Sequence, residues 1–380
     1  MKIAYVTSYD ASDVKQWSGL GRYIAEALHN ADLSVTEIGP LSTTSSRLLM
    51  LKKLAYLGLA GRRHLIDREP SVARGYADQI TKRLDRTADI VFSPGSIPIS
   101  YLQCRQPVAY WTDATFAGVV GFYDEFSHLS AESLRNGHRL EQAALDNCRL
   151  AIYSSEWAAR TALDNYKIEA DKIAVVPFGA NIDVDLGSDE IAALIEQRPK
   201  TYCNLLFIGV DWERKGGPIA CEVARLLNEG GLPTILTVVG CKPWLPPGCA
   251  GFVDVEGPIS KASAGGRERM RTLLAASHFL ILPSRADCTP VVFSEANAFA
   301  LPCLTSGVGG IPSVVLNGVN GFRFPFEDEP AAYAEQIEYL MRNYGEYRAL
   351  AIGSYAQYRD RLNWRTAGAA VRSLLQERCR

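Results

Sequence analysis

The chain has 380 residues, about twice the length usual for one domain, so two domains are expected. With 47% hydrophobic and 22% charged residues it carries material for two buried cores and no signature of disorder. Its 40 basic and 42 acidic residues leave a net charge of −2, which argues against a surface built to track a polyanion such as DNA or RNA, while a local basic patch remains compatible.

Short β-branched and aromatic runs alternate with longer helical stretches, the pattern of βαβ units. Strands are predicted at 2–7, 33–38, 89–92, 107–111, 150–154 and 173–177, then at 204–209, 234–240, 252–256, 279–282, 302–305 and 321–324. Runs such as NLLFIG and HFLILP lack strict alternation, which suits parallel strands covered on both faces. Each half therefore reads as an open, doubly wound α/β sheet. The predicted organisation is a first domain over 1–180, a Gly-, Asn- and Asp-containing linker over 181–200, a second domain over 201–355 and a C-terminal helix over 356–380. Beyond 326 the strands stop. Apolar residues at Ile337, Leu340 and Met341, then at Trp364, Ala367, Val371 and Leu374, recur at helical steps, and the last helix packs on the second domain or crosses back to the first.

The strand at 2–7 begins almost at Met1, with no apolar signal segment, and no run of about 18 apolar residues occurs, so a cytoplasmic protein without a membrane span is expected. Nine cysteines without a C-x-x-C pair fit reduced cytosolic thiols; a Cys241–Cys249 bridge across a Pro-rich loop is the less favoured alternative. Residues 47–68 are locally basic and apolar. They read either as a half-buried helix with Lys and Arg on its wet face or as a peripheral contact with an anionic membrane surface.

In open parallel sheets ligands bind beyond the carboxyl ends of the strands, so the loops there are the candidate site. After the first strand, Ser18-Gly19-Leu20-Gly21 opens a helix; such a turn admits a phosphate or sugar close to the backbone, or is a glycine turn with no ligand. The second half opens with a strand ending at Gly209, followed by Val210, Asp211, Trp212, Glu213, Arg214, Lys215, Gly216 and Gly217. Two adjacent cations there could hold a diphosphate; the alternative is two solvated charges. The strongest local signal runs from Pro283 to Ala300. Thr289 before Pro290 matches an N-cap with Pro at the first helical position, and Glu295 falls on the first or second turn. A carboxylate there can accept two ribose hydroxyls, and Asp287 those of another sugar ring. Simple compensation of the helix dipole is the alternative.

Together these residues resemble the retaining glycosyltransferases of family 4, the glycosyl transferases group 1 of GT-B architecture. The resemblance is most specific from Phe207 to Pro325: the Gly…Lys-Gly loop, Pro-Ser-x-x-acid-x7-Glu-Ala, Leu-Pro-Cys-Leu-Thr…Gly-Gly-Ile-Pro, and Asn-Gly-x-x-Gly-Phe. It implies two Rossmann-like domains facing across a cleft that holds a nucleotide sugar. Lys215 would hold the diphosphate, with Arg214 beside it. Glu295 would hold the ribose and Asp287 the transferred sugar. Gly209 and the backbone of Cys288, Thr289, Pro290 and Val291 would surround phosphates and sugar; Gly257 and Ile259 would border the base; Gly19 and Gly21 would close over the phosphates.

The chain departs from the family pattern at three places. Asp287 replaces the first Glu of E-x7-E, Val210 stands where the family has Arg, and Thr112 precedes Asp113 where the family often has His. The five histidines (29, 64, 128, 138 and 278) read as surface or helix residues, and Asp113 as an acceptor-orienting group or a turn cap. The expected function is metal-independent, retaining transfer of a hexose from a UDP- or GDP-sugar to a carbohydrate or lipid-linked hydroxyl, without a cofactor, nucleic acid or catalytic metal. A GT-B epimerase or phosphorylase, or a silent nucleotide-binding subunit, stays open at this point.

Overall fold

A computed structural model of the chain describes residues 1–43, 47–182, 184, 186–245, 248–325 and 329–379. Two compact units emerge, Met1–Pro177 with Trp364–Arg380, and Phe178–Asn363.

In the first unit, strands β1 (Lys2–Val6), β2 (Ser34–Ile38), β3 (Ile90–Ser93), β4 (Val108–Thr112), β5 (Leu150–Tyr153) and β6 (Ile173–Val175) form one parallel sheet in the order β2-β1-β3-β4-β5-β6. Helices α1 (Leu20–Asn30), α2 (Arg47–Ala60), α3 (Pro70–Arg83), α4 (Phe116–Val119), α5 (Ala131–Asn147) and α6 (Glu156–Asn165) connect the strands. Strands β3, β4 and β5 are buried at every residue, as crossovers on both faces require. Ser130 and Ser155 cap α5 and α6 by accepting from Ser133 N and Ala158 N at 3.1 and 3.2 Å.

The second unit opens with helix α7 (Ser188–Gln197), then strands β7 (Cys203–Ile208), β8 (Thr234–Val239), β9 (Val253–Gly257), β10 (Phe279–Leu282), β11 (Cys303–Ser306) and β12 (Gly321–Phe324). Their order is β12-β11-β10-β7-β8-β9, again all parallel. Helices α8 (Gly217–Glu229), α9 (Ala264–Ala276), α10 (Val291–Asn297), α11 (Pro330–Arg342) and α12 (Tyr344–Asp360) complete it. All twelve predicted strands are present.

The domain limits differ from those predicted. Residues 181–200, of which Asp183 and Asp185 lie outside the described residues, are no free connector. Ile191 and Ile195, four apart on α7, are buried in the second core. Buried Arg198 donates to Ala300 O, Phe299 O and Tyr347 Oη at 2.7–2.8 Å, which fastens the segment to the turn after α10 and to α12. Nor does a domain end at 355. Helix α12 runs through to Asp360, and Tyr358 Oη donates to Val184 O. The chain then returns to the first unit as α13 (Trp364–Arg378). Trp364 stacks on Tyr23 and meets Trp111 edge-on, and a Cβ at Gly368 would lie 2.4 Å from Ala27 O, so glycine is what lets α13 lie close on α1.

Two further points concern the cysteines and the histidines. Cys249 Sγ sits 3.0 Å from Cys221 Sγ on α8, so its neighbour is Cys221 and not Cys241, and all nine cysteines are free thiols. The intervening Pro246 and Pro247 lie outside the described residues, as does Phe326, where the strands were expected to stop. His64 and His278 are buried outside helices. His278 accepts from Asn204 N at Nδ1 (2.9 Å) and donates from Nε2 to Pro199 O (2.7 Å), a set that fits only neutral imidazole.

Burial lowers the His278 pKa from its ordinary 6.5 to about 4. Between these values the unfolded chain binds a proton that the folded chain excludes, so stability is full above pH 6.5 and falls as the pH drops toward 4. The loss is up to roughly 3 kcal/mol. Urea unfolding from pH 7 to pH 4.5 is expected to show this acid limb, and His278→Asn, which keeps an acceptor near Asn204 N but cannot take the proton, to flatten it. An equally steep limb in the variant would assign it to other groups.

Candidate active site

In the second sheet the strand order reverses between β7 and β10: the chain winds outward from β7 to β9, then returns to β10 and winds the other way. The loops leaving these two neighbours diverge and open a crevice. Both signal segments leave their strands here, one after β7 and one after β10.

Close backbone packing holds the two loops together. Gly216 has φ +79, and a Cβ there would lie 2.0 Å from Pro283 O; a Cβ at Gly217 would strike the Trp212 ring at 2.1 Å. Arg285 N donates to Arg214 O (2.7 Å) and Arg214 Nη1 to Ala286 O (2.8 Å). Arg214 also pairs with Asp211 and so braces the loop. Lys215 is turned inward and places Nζ 2.5 Å from Asp287 Oδ2, which also accepts from Ser284 Oγ at 3.2 Å. Only 13% of the lysine side chain and 8% of the aspartate are exposed. Removing one partner of such a pair strands the other charge in a poorly solvated place, at a cost of about 3–5 kcal/mol. Val210, at the family's arginine position, is 79% exposed and brings no charge.

The segment after Asp287 is almost wholly buried, including Cys288, Thr289 and Pro290, with Val291 half-buried. The expected Thr289 cap is corrected: Pro290 is the N-cap, α10 begins at Val291, and the Thr289 hydroxyl donates to Cys288 O. The start lies one residue later because Pro290 is extended (φ −74, ψ 109) and not helical. Glu295 falls on the second turn, 1% exposed, and accepts from Lys261 Nζ. Lys261 escaped the sequence reading; it stands in the loop after β9, 34 residues from its partner, in no recognisable motif. Gly257 (φ +72) ends β9 and accepts from Gly240 N at 2.9 Å, while a Cβ at Gly240 would lie 2.7 Å from Gly209 O. Gly209, Gly240 and Gly257 thus line up at adjoining strand ends, with Ile259 half-buried beyond them.

In the first unit, Trp17 (φ 44), Ser18 (φ 56) and Gly19 (φ +81) are successive left-handed residues before α1, an arrangement that costs about 1–3 kcal/mol at each non-glycine position. Trp17 Nε1 donates to Asp113 Oδ2 at 3.2 Å, joining the glycine turn to the end of β4 beside buried Thr112. A Cβ at Gly21 would lie 2.7 Å from the Tyr9 ring. The Tyr9 hydroxyl is enclosed and has no hydrogen-bond partner among the described residues. Burial, with Asp113 nearby, raises its pKa above the usual tyrosine range, so it stays an O–H donor. Tyr9 also went unnoticed in sequence, although it lies three residues past β1.

Among the described residues one set of potential metal ligands gathers: His64, Glu69 and Glu132, with ligand atoms within 4.8 Å of one another. Lys52 Nζ lies 2.6 Å from both carboxylates, so an ammonium already balances them. No helix among the described residues is long and apolar enough to cross a membrane.

The family described as Glycosyl transferases group 1 matches residues 202–343. The D-inositol 3-phosphate glycosyltransferase of Streptomyces avermitilis is 28% identical over 184 residues, 48% of this chain and 34% of that protein. The enzyme of the same name from Streptomyces bingchenggensis is 31% identical over 242 residues, 60% of this chain and 53% of that protein. The chain thus spans between about a third and about half the length of these relatives. Sucrose-phosphate synthase from Thermosynechococcus elongatus superposes with a TM-score of 0.68 at 16% identity, over 99% of this chain and 98% of that one. HepE of Anabaena, in complex with UDP, gives 0.65 at 15%, over 99% and 100%. Residues 202–343, in the second unit, thus match the group 1 glycosyltransferase family, and the two units share the GT-B fold of these solved structures.

Proposed function

We propose that the protein is a retaining hexosyltransferase that moves a sugar from a UDP- or GDP-sugar to a hydroxyl of a carbohydrate or lipid-linked acceptor. The observation that carries this reading is the pair of buried, lysine-compensated acids, Asp287 with Lys215 and Glu295 with Lys261, around the reversal point of the second sheet. A nucleotide sugar brings what each charge needs in exchange. Its diphosphate takes the Lys215 ammonium, its sugar hydroxyls donate to Asp287, and its ribose hydroxyls donate to Glu295. UDP is the first base to test, since HepE, of like fold, has been solved with UDP-glucose.

In the proposed step the bond from the anomeric carbon to the diphosphate oxygen breaks and the acceptor oxygen bonds to the same face. The acceptor proton passes to the departing diphosphate. Lys215 neutralises charge growing on that leaving group, so the reading needs no divalent ion and no cofactor, and Arg214 keeps Lys215 in position. Rate enhancement comes chiefly from preorganised charge and alignment. Within the first unit, the Gly19 and Gly21 turn and the Tyr9 hydroxyl accompany Asp113, the group this reading assigns to the acceptor. Asp113 orients the acceptor, and Tyr9 offers it a hydrogen bond. The reading extends to a cytoplasmic enzyme held at the inner face of the membrane.

Calorimetry is expected to show UDP binding weakened about 10- to 100-fold by Glu295→Ala, the worth of hydrogen bonds to a charged group; unchanged affinity would remove the ribose role. Incubation with UDP-glucose and an acceptor series, read by proton NMR at the anomeric position, is expected to yield the α-linked product and free UDP. A β-linked product would contradict retention. Epimerised donor, or glucose 1-phosphate formed only when inorganic phosphate is added, would replace transfer with another GT-B reaction.

A further inference from the structure

We infer that α2 is a contact surface for an anionic lipid bilayer. The inference deepens the acceptor side of the proposed function by naming where the acceptor is met. The helix is docked inside out. Two of its polar residues, Lys52 and Tyr56, turn toward the rest of the first unit: Lys52 Nζ reaches Glu69 Oε1 and Glu132 Oε1, Tyr56 Oη donates to Glu132 Oε2 at 3.0 Å, and the Tyr56 ring stacks on buried His64 at 4.9 Å. Leu49 alone of its large aliphatic residues packs against the core. None of its 14 residues is buried, while Leu51, Leu54 and Leu57 are exposed, Leu48 is 74% exposed and Leu59 90%.

A helix of a soluble domain normally does the reverse, with leucines inward and lysine outward. So many exposed leucines on one element mark a surface that something covers. Charge identifies the occupant. Arg47, Lys53 and Arg62 are exposed around these leucines, and no Asp or Glu occurs from Ile38 to Ile66. A second copy of the chain would set the same cations against one another. Anionic headgroups supply the missing charge, and leucine side chains enter the boundary below them. The segment leading to α2 leaves β2 at its carboxyl end, the same end of this sheet at which Gly19, Gly21 and Asp113 follow β1 and β4. A bilayer at α2 therefore lies on the side of this unit where a lipid-linked hydroxyl would be presented.

The test is co-sedimentation of the full chain with vesicles of phosphatidylcholine alone and with equal parts phosphatidylglycerol. The intact protein is expected to sediment with the anionic vesicles at least about tenfold more than with the neutral ones, less so in high salt. Leu51→Glu with Leu54→Glu, both solvent-facing, is expected to return it to the supernatant. Arg47→Gln with Lys53→Gln, which leaves the apolar face intact, is expected to lower binding to the level of neutral vesicles. Equal sedimentation with both vesicles, or none with either, would overturn the inference. So would a dimer in sedimentation velocity that the leucine variant dissolves, because it would make a second copy the occupant. Intact protein that binds UDP but no vesicles counts against this inference alone, and intact protein that binds anionic vesicles but no UDP counts against the donor reading alone.

Discussion

A carboxylate buried at the end of a parallel sheet must find a cation or several donors, and the second unit is arranged around that requirement. Asp287 and Glu295 lie eight residues apart, on either side of the start of α10, and each is met by a lysine from a distant part of the chain. For Asp287 the lysine comes from the loop after β7, so the compensation works only while that loop stays pressed against the end of β10. Gly216 and Gly217 allow the approach, and Arg214 locks it through Ala286 O. The same contacts that neutralise the acid therefore assemble the crevice.

An ion pair of this kind adds little net stability, because desolvating two charges offsets most of their attraction. Its value is that it holds both groups in place until a ligand with its own charge and hydroxyls arrives. Seen this way, Val210 in place of the family's arginine is less of a loss. The loop retains one inward cation, Lys215, and uses the second, Arg214, as a brace. The first unit stores a comparable incompleteness in the left-handed Trp17-Ser18-Gly19 turn and the unpartnered Tyr9 hydroxyl. Both sit in the loop after β1, beside the reversal of strand order between β1 and β3.

The twelve strands were legible because continuous apolar runs such as Leu205–Ile208 and Phe279–Leu282 admit little else in a chain punctuated by helices. Glycine turns and acids at strand ends were legible because their spacing is local. What spacing could not reveal was pairing over distance: Lys261 with Glu295, Arg198 with the turn after α10, and α13 with α1 all join residues far apart in sequence. The Thr289 cap was misplaced by one residue because Thr-Pro suits an N-cap and the turn just before it equally well. Helix α2 shows another limit. Its composition admitted two readings, and only the inward turn of Lys52 and Tyr56 shows which face is left to solvent.

The central claim is that the Lys215–Asp287 pair changes partners when the donor binds. The most direct measurement is a crystal structure of the protein with UDP-glucose or UDP. The account predicts Lys215 Nζ on a phosphate oxygen and withdrawn from Asp287 Oδ2, with Asp287 facing sugar hydroxyls in the UDP-glucose complex. A bound nucleotide that leaves the 2.5 Å Lys215–Asp287 contact intact, with its phosphates held elsewhere, would contradict it.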